Sequence, residues 1–168
     1  MSNPIATAVP YEDFPDNESS KVVALYVSPP NRSNNLDPRH VFLCWPNGES
    51  NSSSSGSGTN LAVFQVVQLE RRDDGFRYIY PNVWAFSQSV IDTYQKIPIG
   101  TFTRDDREKI LELAEGIRFH PRSNVNGCGV WMRRLLGQMV IDDDKLLGHW
   151  DFLRICNMVP LPNTQPES

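Results

Sequence analysis

The sequence predicts an α+β fold in which a small antiparallel sheet packs against helices. The first half of the 168-residue chain holds short runs that are rich in β-branched and aromatic residues and bounded by turn residues. The second half holds segments with helical periodicity. Strands come first and helices second, without the regular alternation that is typical of α/β proteins.

Four strands are predicted in the first half. They are KVVALYV (21–27), RHVFLCW (39–45), LAVFQVVQL (61–69) and FRYIY (76–80). The Ser/Gly-rich stretch NGESNSSSSGSGTN (47–60) is interpreted as a flexible hairpin connection and not as a domain linker. Alternation along the second strand predicts that His40, Phe42 and Cys44 share one face and Val41, Leu43 and Trp45 the other.

Four helices are predicted in the second half. FSQSVIDTYQKI (86–97) fits a short helix, and DDDKLLGHWDFLRI (142–155) fits another. In TRDDREKILELAEGI (103–117), Thr103 and Asp106 have the spacing of a capping box, which indicates a helix start. The remaining helix begins near Cys128. The apolar positions of these two longer helices are Ile110, Leu111, Leu113, Ala114 and Ile117, and Val130, Trp131, Leu135, Met139 and Val140.

The chain length fits one catalytic domain, which we place at residues 21–158. Residues 1–20 and 159–168 are rich in Pro, Asp, Asn and Ser, so we expect a loosely ordered N-terminal segment and a disordered tail. No run approaches the roughly 18 apolar residues of a membrane span, and the first residues do not have the pattern of a signal peptide.

Charge and cysteine content narrow the function classes. A net charge of −4 and a pI near 5.3 argue against a general nucleic-acid binder. Cys44, Cys128 and Cys156 are odd in number and form no CxxC pair, which predicts a reducing cytoplasmic location and argues against a structural zinc site. We expect neither a metal nor another cofactor.

Cys128 is the candidate nucleophile. It lies between Gly127 and Gly129 in NVNGCGVWMRRLLGQMV (124–140), where the third helix begins. A helix N-terminus favours the thiolate, and its unpaired N–H groups can accept a developing oxyanion. His40 is the candidate base, and Gln65 or Gln68 on the next strand is the candidate residue that orients its ring.

The alternative is that these residues only pack. Cysteine is among the most buried residue types, and a histidine on a strand is often a structural residue. Cys44 shares a face with His40 but has no helix terminus to activate it, so we expect Cys44 to lie in the core.

A strand histidine followed by NGC-x-x-W at a helix start resembles the circularly permuted papain-like (NlpC/P60-type) thiol domains. The resemblance covers roughly residues 38–140, and Gly127 separates Asn126 from Cys128, where the family motif is often NCxxW. It implies a papain-like fold with Cys128 as nucleophile and His40 as base.

A second resemblance covers the whole chain. VPYEDFP (9–15), SPPNR followed by DPRHVF (28–42), and FTRDDREKILELAEGIRFHPRSNVNGCGVWMRRLL (102–136) are similar to a family of small fungal enzymes, the arginine-containing cyclodipeptide synthases. The resemblance implies that aminoacyl groups are taken from arginyl-tRNA and a second aminoacyl-tRNA and released as cyclo(Arg-Xaa) in secondary metabolism. The family's D-D-x-x-E motif corresponds to DDREK, in which Asp105 and Asp106 match, Glu108 comes one place early and Lys109 holds the last position.

This resemblance assigns two further sets of residues. Carboxylates would pair with the guanidinium of the arginine substrate, and the candidates are Asp105, Asp106 and Glu108. The alternative is that these acids cap a helix. A basic stretch without acids would contact tRNA phosphates through Arg118, Arg122, Arg133 and Arg134, unless these are ordinary solvated arginines.

Three hypotheses follow. The first, which we favour, is a tRNA-dependent cyclodipeptide synthase that works by acyl transfer through Cys128. The second is a papain-like peptidase or amidase that uses the same Cys128 and His40. The third is a non-catalytic interaction module. The basic stretch favours the first, because a peptidase has no need of it.

Overall fold

The computed structural model describes residues 6–29, 39–52, 58–159 and 161–167, and its fold is α+β, as predicted. A six-stranded sheet has the order β1-β7-β4-β3-β2-β8, and every neighbouring pair is antiparallel. A separate hairpin pairs β5 with β6. The strands are β1 (Ala6–Val9), β2 (Lys21–Val27), β3 (Val41–Ser52), β4 (Thr59–Val67), β5 (Leu69–Arg72), β6 (Gly75–Tyr78), β7 (Val83–Ser87) and β8 (Gln95–Phe102). The helices are α1 (Gln88–Ile91), α2 (Arg104–Glu115), α3 (Cys128–Ile141) and α4 (His149–Met158).

The two faces of the sheet are covered differently. One face packs against α2, α3 and α4 and forms the larger core, to which Val41, Leu43 and Trp45 belong. The other face carries Phe42 and Cys44 in a smaller aromatic cluster, beside which the described structure places only the short helix α1. The alternation predicted for this strand is therefore confirmed, and Cys44 is a core residue, 1% exposed.

Helix α2 begins as its sequence predicts. The Thr103 hydroxyl accepts from the Asp106 N–H, and the Asp106 carboxylate accepts from the Thr103 N–H, which completes the capping box. Ile110, Ala114 and Ile117 are buried on its inner face. In α3, Val130, Trp131, Leu135 and Met139 are buried, whereas Val140 is only half-buried.

The short helix predicted over 86–97 is wrong for most of its length. This segment finishes β7, makes the single turn α1 and then enters β8. The edge of the sheet explains the difference, because β8 pairs with β2 from Gln95↔Val27 to Phe102↔Lys21 and thereby overrides the helical pattern of the segment. The predicted fourth helix is present but begins later, at His149.

The N-terminal segment is more ordered than predicted over residues 6–20. β1 pairs with β7 at one edge of the sheet. Asp16, whose side chain is 7% exposed, accepts hydrogen bonds from Arg107 Nε and Nη2, both at 2.9 Å, and from Lys21 Nζ at 2.7 Å. Arg107 is fully buried, so its charge requires this carboxylate. Residues 1–5 lie outside the described residues.

The predicted tail is likewise fixed where it is described. Val159 and Leu161 are buried, and the Arg133 guanidinium donates to the Leu161 carbonyl at 2.9 Å. The Asn126 side chain exchanges hydrogen bonds with the Gln165 backbone, at 2.8 and 2.7 Å. Residues 161–167 therefore pack beside the start of α3, while residues 160 and 168 lie outside the described part of the chain.

The connection at 47–60 is a hairpin, as predicted, but a shorter one. β3 extends to Ser52 and β4 begins at Thr59, and these two residues face each other in the pairing. The intervening residues 53–57 lie outside the described residues, and the flexibility that the sequence predicts for this loop therefore concerns residues that the structure does not describe. In the described part of the chain, no helix is both long and apolar enough to cross a membrane.

Candidate active site

The structure brings Cys128 and His40 together at the end of the sheet where β3 begins. His40 directly precedes β3, and its backbone N–H donates to the Ser28 hydroxyl at 2.8 Å. Cys128 is the first residue of α3, and its Sγ lies 4.0 Å from the Arg39 carbonyl oxygen. The two side chains lie close enough that each shifts the pKa of the other. The predicted nucleophile and the predicted base therefore lie together, although they are 88 positions apart in the sequence.

This contact favours an ion pair of thiolate and imidazolium. Burial disfavours the thiolate, but the hydrogen bond and charge of His40, together with the Val41 and Gly129 N–H groups, lower the pKa of Cys128 from its ordinary 9.0. Burial also disfavours the imidazolium, but Cys128 first and then Gln68 and the charge of Glu70 raise the pKa of His40 above 6.5. Both pKa shifts favour the thiolate, which is the nucleophilic form of the cysteine.

Gln68 orients the His40 ring. His40 Nε2 and Gln68 Oε1 lie 2.6 Å apart. The amide of Gln68 can be assigned because its Nε2 donates to Glu70 Oε1 at 2.9 Å, and a carboxylate only accepts. The oxygen of Gln68 therefore faces His40, Nε2 of the ring carries a proton, and Nδ1 is left for the thiol.

Gln65, the other predicted orienter, lies elsewhere and does not contact His40. It is opposite Trp45 in the β3–β4 pairing, and its side-chain oxygen accepts from the Asn47 amide at 3.3 Å. The register of this pair places Leu43 opposite Val67. The next residues, Phe42 and Gln68, therefore share the face of the sheet on which His40 lies.

Glu70 extends the network behind Gln68, and the sequence analysis missed it. Glu70 is 8% exposed, and its carboxylate accepts from four donors: Gln68, the Asn82 amide at 3.0 Å, and two guanidinium nitrogens of Arg72 at 3.0 and 2.5 Å. Asn82 in turn accepts from Trp84 Nε1 at 2.8 Å. The available signal in the sequence was an acid two residues after Gln68, which alternation places on the same face of a strand. LERR fits a solvated strand end equally well.

The start of α3 leaves its positive end free for the thiolate. Gly127 occupies the N-cap position without a side-chain cap, and the first turn carries no acid. Unpaired N–H groups at this position satisfy a negative charge that develops on a bound carbonyl oxygen. Gly129 is closely packed on its other side, because a Cβ there would lie 3.2 Å from Pro162 Cδ.

Two clefts lie beside the candidate site, one lined by His40 and the other by Gly127 and Gly129, which flank Cys128; Arg71 lines both clefts. The aromatic cleft has a volume of about 430 Å³ and is lined by Phe42, Trp84, Phe86 and Tyr94, together with His40, Gln68 and Glu70. The glycine cleft has a volume of about 590 Å³ and is lined by residues that include Arg39, Gly127, Gly129, Leu161 and Pro162. Both volumes fall within the roughly 300–1,000 Å³ of small-molecule sites.

The predicted carboxylates for arginine recognition lie at the other end of the sheet. Phe102 pairs with Lys21 at the first residue of β2, whereas Val41 pairs with Val27 at its last. Six residues of strand separate these ends by about 20 Å. Asp106 caps α2, Glu108 pairs with Arg104 at 3.0 Å, and Asp105 is exposed. The capping interpretation accounts for their positions, and they are not part of the site around Cys128.

The predicted tRNA-contacting arginines do not form one surface. Arg133 is half-buried, donates to Leu161 O and packs over the Phe152 ring at 5.5 Å, so its guanidinium is committed within the protein. Arg118 and Arg134 line a separate pocket of about 340 Å³, where Arg134 also donates to the Arg118 carbonyl. Arg122 is exposed nearby.

The arginines that border the site are different ones. Arg39 and Arg71 line the glycine cleft, and Arg71 and Arg72 line the aromatic cleft. The sequence analysis missed them because they lie outside the acid-free stretch from Arg118 to Arg134. Arg39 directly precedes His40, and Arg71 and Arg72 belong to the β5–β6 hairpin. Within the described residues, no group of three or more His, Cys, Asp or Glu side chains is arranged to hold a metal ion.

Comparison of this chain with protein-family models, curated protein sequences and solved structures finds no match.

Proposed function

We propose that the protein is an acyl-transfer enzyme with Cys128 as nucleophile, His40 as general base and Gln68 as the residue that orients the base. The observation that carries the proposal is the continuous chain of contacts from Cys128 through His40 and Gln68 to the buried Glu70, built at a helix N-terminus. A packing cysteine requires none of these partners, whereas an activated thiol requires all of them. The order of a histidine strand before a cysteine helix supports a permuted papain-like arrangement.

The chemical steps follow from this geometry. The Cys128 thiolate attacks the carbonyl carbon of an activated ester, a C–S bond forms, and the C–O bond to the leaving alcohol breaks. The imidazolium of His40 gives its Nδ1 proton to the leaving oxygen. An acceptor then gives its proton to His40 while it attacks the thioester, and the C–S bond breaks to restore the thiolate.

The finer proposal is a tRNA-dependent cyclodipeptide synthase. The esters would be arginyl-tRNA and a second aminoacyl-tRNA, and the acceptor would be the amine of the second. This amine forms a C–N bond to the acyl group on Cys128, which gives a dipeptidyl ester on the second tRNA. The remaining amine then attacks that ester carbonyl, which closes the ring and releases the second tRNA. The presence of two clefts supports this, one lined by His40 and one by the glycines that flank Cys128, since two aminoacyl groups must bind.

Basic side chains at the cleft borders also support the finer proposal. Arg39 and Arg71 lie where the ribose-phosphate end of an aminoacyl-tRNA would enter, and guanidinium groups bind phosphates well. Arg118, Arg122 and Arg134 would lie further along the polyanion. All three cysteines are free, which supports the reducing cytoplasm as the compartment.

A peptidase or amidase is the second candidate. The same triad serves hydrolysis if water is the acceptor, and two observations favour it. The chain is acidic overall, with a net charge of −4, and Arg133 is not free to contact a polyanion. Both observations lower the positive charge that is available to bind the phosphates of a tRNA.

The test is a product assay. The protein is incubated with arginine, a mixture of the other amino acids, tRNA and synthetases, and diketopiperazines are sought by mass. We expect a cyclo(Arg-Xaa) product that disappears with RNase or in Cys128→Ala and persists in Cys156→Ala, because Cys156 lies on α4 and shares no contact with His40. Release of free amino acid without a cyclic product would favour the hydrolase. Full activity in Cys128→Ala would refute the thioester.

A further inference from the structure

The aromatic cleft has features of a binding site that the catalytic residues do not explain. The aromatic rings form a row that starts at the base itself: His40 lies 5.9 Å from Phe42, Phe42 lies 6.0 Å from Phe86, and Phe86 lies 6.2 Å from Trp84, measured between ring centroids. Tyr94 meets Phe42 edge-on at 5.5 Å. A substrate group that enters the cleft would therefore contact aromatic faces within reach of the reacting atoms.

The row of rings is held rigidly and is not fully covered. Phe42 and Phe86 are buried as the floor, at 2% and 5% exposure, whereas Trp84 and Tyr94 are half-buried walls. Trp84 is fixed by its hydrogen bond to Asn82, which also donates to Glu70. The same network that positions Gln68 thus positions the wall of the cleft.

The charges around the cleft select against a cationic guest. Among the described residues that line it, Glu70 is the one acid, and its carboxylate is already occupied by Gln68, Asn82 and Arg72. Arg71 and Arg72 are cations on the same rim. A guanidinium or ammonium group in the cleft would find the Glu70 carboxylate already paired with Arg72, and Arg71 as a further cation beside it.

We propose that the aromatic cleft binds an uncharged, ring-bearing side chain of the substrate that reacts at Cys128. Offset and edge-on contacts with Trp84, Tyr94 and the floor rings would hold such a planar group. The inference rests on the proposed function in that the guest is part of an acyl donor or acceptor. If the arginine side chain of a cyclodipeptide is bound by this protein, it binds outside this cleft.

Binding is measured on Cys128→Ala so that no reaction intervenes. The probes are N-acetyl-phenylalanine amide, N-acetyl-leucine amide and N-acetyl-arginine amide, titrated into ¹⁵N-labelled protein and followed by NMR. We expect the phenyl probe to shift the Trp84 indole N–H and to bind at least about threefold more tightly than either other probe. Trp84→Ala should remove that preference, with folding checked by circular dichroism.

Trp150→Ala is the matched control, because Trp150 is an 81% exposed tryptophan on α4 and lines neither cleft. Equal binding of the three probes, tighter binding of the arginine probe, or an equal loss in Trp150→Ala would overturn the proposal. If Trp84→Ala does not fold, the shift of the Trp84 signal in the Cys128→Ala protein decides alone. If the phenyl probe binds but the wild type forms no thioester, the cleft proposal stands and the proposed function is refuted. If the wild type forms a thioester but the phenyl probe is not preferred, the proposed function stands and the cleft proposal is refuted.

Discussion

Removing the oxygen that orients His40 is the sharpest perturbation of the proposed triad. Gln68→Leu keeps the approximate size of the side chain and deletes the acceptor that lies 2.6 Å from His40 Nε2. The ring then loses the contact that holds Nδ1 towards the thiol, and a buried N–H is left without a partner. We expect slower reaction of Cys128 in a protein that still folds.

The magnitude follows from the kind of bond that is lost. The hydrogen bond to Gln68 favours the charged form of His40, because it raises the pKa of the ring, and hydrogen bonds to charged groups contribute about 1.5–3 kcal/mol. If that energy is expressed when Cys128 reacts, the rate falls about 10- to 150-fold. A loss much larger than this would indicate that the ring has also taken the wrong tautomer or moved away from the thiol.

The assay is alkylation of Cys128 by iodoacetamide, with peptide mass to separate it from Cys44 and Cys156. Gln65→Leu is the matched control, because Gln65 is 1% exposed but bonds to Asn47 instead of His40. We expect Gln65→Leu to retain the wild-type rate. Equal slowing in both variants, or a wild-type rate in Gln68→Leu, would refute the reasoning.

Four further predictions concern the charges of the structure. The alkylation of Cys128 should have its pH midpoint below 9.0, because His40 lowers the pKa of the thiol, and His40→Leu should move that midpoint to higher pH, because burial is then opposed only by the Val41 and Gly129 N–H groups. Glu70→Gln should move the alkaline limb of the pH–rate profile to lower pH, because the Glu70 charge helps to raise the pKa of His40; a uniform loss of rate without that shift would contradict a positioning role. Burial raises the pKa of Asp16, but the hydrogen bonds from Arg107 and Lys21 lower it from 3.8 to about 2, so about 2 kcal/mol of stability should be present above pH 4 and lost as the pH falls towards 2. Asp16→Asn should cost about 3 kcal/mol in urea unfolding near pH 7, since Arg107 is left buried without its carboxylate, and the exposed Asp105→Asn should cost under about 1 kcal/mol.

The parts of the fold that local chemistry decides are those that could be predicted from the sequence. Thr103 and Asp106 form a capping box wherever a helix follows them, and the alternation from His40 to Trp45 requires only that the segment be a strand. Residues 86–97 show the limit. Their spacing fits a helix, but pairing with β2 makes residues 95–97 a strand, and no local pattern contains that partner.

The candidate site divides in the same way. Cys128 and His40 could be chosen because a glycine-flanked cysteine at a helix start and a strand histidine each carry a local signal. The choice between Gln65 and Gln68 depends on the register of β3 with β4, which the sequence does not contain. Asp105 and Asp106 lie at the far end of the sheet because of how β2 pairs with β8, and the sequence does not contain that pairing either.

The central claim is that Cys128 carries an acyl group during turnover, and intact-protein mass after brief exposure to aminoacyl-tRNA tests it most directly. The account predicts an added aminoacyl mass that maps to Cys128, is released by neutral hydroxylamine as a thioester is, and is absent in Cys128→Ala but present in Cys156→Ala. An adduct on another residue, or cyclic product formed at the wild-type rate by Cys128→Ala, would contradict it.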